Sequence, residues 1–262
     1  MTQQEIDLLA FELANLRLNA DLTLAPKYSY FSDKPYPLGR CLEIRDEMFK
    51  LVTTELKQNS ERLSVLRNYM LKENAELKKV WGSLRDEYFQ NAMLVGDWYI
   101  DTANDTVNAN KPRVEIKPIA QSGFSAITNF EQFVKIARAY WQVEVFKNTA
   151  FPAIAPYLPL ICVNAKGATW LAAANDDMIK VATNSEFRLS EQILCQLPEP
   201  DSVIVSRWQQ TLTGIDALDD ILLQTGKPEG FCQLYRAAEK ATDLAFRDRV
   251  VRAYMSLPKG AQ

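Results

Sequence analysis

The sequence predicts an α+β fold with a helical N-terminal third, a small central and mostly antiparallel sheet, and a helical C-terminal third. Three observations predict it. Apolar residues recur at spacings of three and four through the first 80 residues. Short β-rich runs bounded by Asn, Asp and Gly occupy much of the stretch from 95 to 183. Helical patterns return from 186, punctuated by Pro198, Pro200, Gly214, Gly226, Pro228 and Gly230. Helices, then strands, then helices argue against a doubly wound parallel sheet. At 262 residues the chain fits a single α+β domain. Its natural subdivision is a helical hairpin region 1–82, a sheet region 83–184 and a helical region 185–262.

Residues 3–19 give the first helix. Ile6, Leu9, Leu13 and Leu16 make its stripe, and Thr2 is placed to cap it. The segment from 23 to 41 sets Tyr28, Tyr30, Phe31 and Tyr36 among three prolines, which predicts an extended loop. Two long helical patterns follow, 38–57 and 60–80. They break at Gln58-Asn59-Ser60, with Ser60 as a cap, and predict an antiparallel hairpin. Leu84 to Met93 predicts a short helix carrying Glu87. Strands are expected at 95–101, 113–119, 161–164, 169–173 and 178–183, the last three as a meander. A helix from 130 to 146 lies between them, with Phe133, Ile136, Ala137, Tyr140 and Trp141 as its core stripe. Residues 151–159 read as an extended connector. Five helices complete the chain at 186–196, 201–212, 215–224, 230–245 and 246–256.

Composition excludes several kinds of chemistry. There is no histidine, so the chain holds no Ser-His-Asp triad, no Cys-His pair and no imidazole-ligated metal. Cys41, Cys162, Cys195 and Cys232 are far apart in sequence and form no CxxC pair. Each has apolar neighbours, which predicts four buried free thiols and a reducing compartment. The N-terminus carries acids where a signal peptide needs a basic start. No apolar run approaches the ~18 residues of a membrane span. These features predict a cytoplasmic protein with no membrane partner. A net charge of −3 gives no general pull toward nucleic acid. The glycine-rich phosphate cradles and the GxSxG elbow are missing.

The stretch 95–119 holds the one constellation with mechanical sense. Residues two apart on a strand share a face, so Glu115 and Lys117 project together while Ile116 faces the opposite layer. Asp101 or Asp105 can join Glu115 as oxygen ligands for Mg²⁺. Lys117 would then orient the attacking water beside Glu115, the two acting as the catalytic pair. This pattern resembles that of the PD-(D/E)xK nucleases over roughly residues 84–164. The resemblance implies an αβββαβ order, with Glu87 on the leading helix and Gln142 on the later one. It also implies a nucleic-acid substrate and Mg²⁺ as cofactor. The asparagine-rich segment between the strands is equally good loop chemistry.

The leading expectation is nevertheless a non-catalytic intracellular accessory subunit, with no cofactor, whose partner is another protein. The aromatic set Tyr28, Tyr30, Phe31 and Tyr36 is its expected contact surface, since Tyr and other aromatics are enriched at interfaces. The Mg²⁺-dependent nuclease is the alternative.

Overall fold

The computed structural model describes residues 1–31, 33–58, 61–212, 215 and 218–257. The fold is α+β, with an N-terminal helix, a five-stranded antiparallel sheet and C-terminal helices. It divides into two compact units. One comprises residues 1–85 and 89–126, the other 86–88 and 127–262.

The first unit begins with α1 (Gln3–Lys27). Thr2 caps it through a reciprocal box: its side chain accepts from Glu5 N, and the Glu5 carboxylate accepts from Thr2 N. Leu9, Leu13, Leu16, Ala20 and Leu24 are buried along one face. A two-stranded ribbon, β1 (Tyr30–Phe31) and β2 (Lys34–Pro35), leads to α2 (Cys41–Lys57) and α3 (Ser64–Glu73). The expected second helix is therefore present, but the third is shorter than expected and gives way to β3 (Leu77–Leu84). Ser60, the expected cap, lies outside the described residues.

The strands β4 (Tyr88–Val95), β5 (Trp98–Asp101), β6 (Glu115–Pro118) and β7 (Phe124–Ser125) complete the sheet, with the one-turn α4 (Ile119–Ser122) before β7. Their order is β6-β5-β4-β3-β7. The short helix expected at 84–93 is thus a strand hairpin. Arg85 and Asp86 both adopt left-handed backbone, each at φ 56°, the twist that a tight hairpin requires. One sheet face supplies Met93, Val95, Ile100 and Ile116 to a core shared with α1, α2 and α3. There they meet Leu13, Ile44, Met48 and Leu66.

The second unit starts with α5 (Phe130–Ile136), capped by Asn129 accepting from Gln132 N. One π-turn over Ala137–Trp141 ends it at Gln142, which is left-handed. The helix expected to reach 146 stops there, and β8 (Glu144–Lys147) follows. With β9 (Leu160–Val163) and β10 (Thr169–Ala172) it forms an antiparallel sheet ordered β10-β9-β8. The 151–159 segment is not extended. It coils through buried turns, and the buried Asn148 pins it by donating to Leu158 O and accepting from Phe151 N.

Residues 178–183, expected as a strand, lie within α6 (Asp176–Asn184). Asn175 caps it by accepting from Met178 N, and Asp176 and Asp177 favour its positive end. Then come α7 (Arg188–Gln196), α8 (Ser202–Leu212), α9 (Pro228–Ala237) and α10 (Leu244–Ser256). The helix expected at 215–224 is reduced to a 3-10 turn at Asp220–Leu223. Tyr157, Phe187, Tyr235 and Phe246 make an edge-to-face aromatic core in this unit. Trp208 is buried against Phe151 and donates to Thr169 Oγ1 at 2.8 Å.

Among the described residues no helix is long and apolar enough to cross a membrane. All four cysteines are free, but Cys195 is exposed rather than buried, and Cys41 is half-buried. Cys195 sits on the open side of α7, whose buried positions are Ser190, Ile193 and Leu194.

Candidate functional site

The polar groups of the first unit gather on β5, β6 and the loop between them. The register sets Asp101 opposite Glu115 and Tyr99 opposite Lys117. Tyr99, Asp101, Glu115 and Lys117 therefore share one face, and Ile100 and Ile116 lie in the helix-backed core behind. Glu115 and Lys117 pair with each other, Nζ to Oε1 at 2.7 Å, with both side chains partly in solvent.

Asp101 is closed off from solvent. Its Oδ1 accepts from Ala103 N at 2.8 Å, and its Oδ2 accepts from the Tyr99 hydroxyl at 3.3 Å and from Gln90 Nε2. Burial pushes this carboxyl up to about 7. The bonds from Ala103, Gln90 and Tyr99 oppose that rise, and the charge of Glu115 adds to it. Burial, then the charge of Asp101, pushes the Tyr99 phenol well up. Gln90 Oε1 has no partner, nor does the neighbouring Thr102 Oγ1. A protonated Asp101 needs an acceptor, and rotating the Gln90 amide presents Oε1 to it.

Asp105 faces a different partner. Arg17, wholly buried on α1, spans to it with Nη1–Oδ1 at 3.0 Å and Nη2–Oδ2 at 3.4 Å. The same Nη1 donates to Thr102 O at 2.6 Å, and Nε donates to Asp21 at 2.7 Å. Burial alone would lower the Arg17 pKa, but the charges of Asp105 and Asp21 overcome it and hold the guanidinium above its usual value. Asp21 also accepts from the Tyr36 hydroxyl and pairs with Arg113 at 3.0 Å. Arg17, Gln90 and Tyr99 were not singled out from sequence. The available signal was Arg17 itself, a charge in register with Leu13, Ala20 and Leu24 on the apolar side of α1.

This geometry does not assemble the expected Mg²⁺ site. Asp105 is committed to Arg17, Asp101 is filled by three donors, and Glu115 is matched by Lys117. Among the described residues no three His, Cys, Asp or Glu side chains gather as a metal-holding group. The αβββαβ order is also absent, because Glu87 lies in the turn between β3 and β4 and Gln142 caps the π-turn. Glu115 and Lys117 are thus a same-face ion pair, brought together as the strand period requires, with no ligand set beside them among the described residues.

The aromatic set splits into anchors and tips. Tyr36 and Tyr28 are half-buried, Tyr36 tied to Asp21 through its hydroxyl. Tyr30 is 65% exposed and Phe31 49%. The base of this ribbon is fixed at several points. Tyr36 N donates to Ser29 O at 2.9 Å, and Gly39 N donates to Thr106 O at 2.9 Å. The Arg40 guanidinium donates to Tyr30 O and lies over the rings of Tyr28 and Phe31, at 5.0 and 5.1 Å from their centroids. Gly39 is left-handed at φ 75°, and a Cβ there would lie 2.6 Å from Phe31 Cδ1. Only glycine lets the Phe31 ring rest on this backbone.

No family model matches the sequence, and neither a curated protein nor a solved structure matches it. Fold and site define an α+β chain in which the buried Arg17 and Asp105 pair with each other and Asp101 is held by Gln90, Tyr99 and Ala103.

Proposed function

We propose that the chain is a non-catalytic cytoplasmic accessory protein that binds another protein through Tyr30 and Phe31. The observation that supports this reading is two exposed aromatic rings on a ribbon held by Arg40, Gly39 and Tyr36. Aromatic and arginine side chains dominate interface hot spots. Holding them in place before binding lowers the ordering cost of the complex. The carboxylates and the lysine that offered chemistry are occupied by structural partners, and the chain has no histidine to replace them.

Affinity purification from the native host tests this, comparing the wild type with a Tyr30→Ala, Phe31→Ala double variant. A stoichiometric protein partner kept by the wild type and lost by the variant, at equal circular dichroism, supports the reading. A partner retained by the variant, or no partner at all, overturns it.

A further inference from the structure

Helices α5 and α7 border a cleft of about 710 Å³, within the roughly 300–1,000 Å³ range of small-molecule sites. Its base is apolar. Val134 comes from α5, Ile193 from α7, and Leu197 from the residue that ends α7. All three are buried. Lys135 and Arg138 also line the cleft, both exposed and three positions apart, the spacing at which helical side chains are neighbours.

The cations of this cleft lack the partners their spacing offers. Glu131 stands four residues before Lys135, the separation of a helical ion pair. It makes a different contact: its Oε1 accepts from Gln192 Nε2 and from Gln196 Nε2, each at 2.8 Å. Lys135 is left with no ion pair or hydrogen bond among the described residues. Arg138 keeps one bond, Nη2 to Val145 O at 3.4 Å, and pairs with no carboxylate among the described residues. The π-turn over Ala137–Trp141 begins beside it, and such turns are frequent at functional sites.

We propose that this cleft binds an aliphatic monocarboxylate, its head on Lys135 and Arg138 and its tail over Val134, Ile193 and Leu197. The Arg138 fork has N–H groups to spare and suits a carboxylate at two points. The aliphatic stems of both cations extend the apolar wall. Glu131, which also lines the cleft, sets the charge of the occupant. Two cations less one carboxylate leave a single positive charge, which one acid group matches and a second acid group would exceed. The cleft lies in the unit that holds residues 127–262, whereas the Tyr30–Phe31 ribbon lies in the other, so the two readings fail separately.

The full chain should be titrated with octanoate by isothermal calorimetry. One saturable site per chain is expected. Lys135→Gln and Arg138→Gln, both at exposed positions, should each weaken it about tenfold with far-ultraviolet circular dichroism unchanged. Octanol, which lacks the charge, inorganic phosphate, which lacks the tail, and suberate, which adds a second carboxylate, should each bind at least about tenfold more weakly than octanoate. Absence of saturable octanoate binding overturns the proposal. So does octanoate binding that either substitution leaves unchanged. Octanol, phosphate or suberate binding as tightly as octanoate overturns the assignment of a monocarboxylate with an apolar tail.

Discussion

Arg17 on α1 and Asp105 in the β5–β6 loop form a buried ion pair at 3.0 Å across 88 residues of sequence. Thr102 O and Asp21 accept from two further guanidinium N–H groups. A buried pair of this kind adds modest net stability, yet breaking it from one side is costly, because the remaining charge is stranded. Arg17→Met should therefore lower unfolding free energy by about 3–5 kcal/mol in denaturant titration. Arg17→Met combined with Asp105→Leu should recover much of that loss. A double variant as unstable as the single would refute the account.

Asp101 predicts the pH dependence. Its folded carboxyl is raised from 3.8 to about 7 by burial, so the fold favours the neutral acid. That contribution is fully present below the ordinary carboxylate range and is lost as pH rises through about 7. Denaturation midpoints should fall over this window, and Asp101→Asn should flatten the profile. Asp219, held at about 2 chiefly by its hydrogen bond to Arg249, acts in the opposite sense, but its contribution is lost only as pH drops toward 2. A slope unchanged in Asp101→Asn would assign the effect elsewhere.

Glu115 and Lys117 should matter little for stability. Their side chains are 29% and 43% exposed, and ion pairs in such solvent are worth up to about 1 kcal/mol. Alanine at either position should stay within that limit in equilibrium denaturation.

Gly39→Ala should disturb the ribbon. It places a side chain on left-handed backbone and drives a methyl into the Phe31 ring. The backbone alone should cost about 1–2 kcal/mol. Loss of partner capture in this variant, with the rest of the fold intact, would tie binding to the Phe31 position.

Thiol reactivity should rank by exposure. Cys195 should alkylate in the native protein. Cys162, pushed up to about 12 by burial, and Cys232, pushed higher by the same cause, should react only on unfolding. Mass spectrometry after denaturing alkylation should show four modified thiols. Fewer would reveal a disulfide.

The sequence by itself determined the fold class, the start of α1, and the shared face of Glu115 and Lys117. Each rests on local rules: a 3.6-residue stripe, the Thr2 cap and the two-residue strand period. It also removed imidazole chemistry from the chain outright. Tertiary structure decided the β3–β4 hairpin, which shows no polar alternation because Gly82 to Leu84 and Phe89 to Met93 are buried on successive positions. Its Arg85-Asp86 turn lacks the usual Asn-Gly signal as well. It decided α6, where the Asn175 cap outweighed the β-branched run Ile179, Val181 and Thr183. It also decided the fate of the carboxylates. Strand periodicity and register set Asp101 beside Glu115, but only the approach of Arg17 from α1 makes Asp105 a salt-bridge partner, and only Gln90 on the neighbouring strand β4 completes the donors around the buried Asp101. Those contacts are set by packing between separate elements, Arg17 reaching across 88 residues of sequence, which no local pattern encodes.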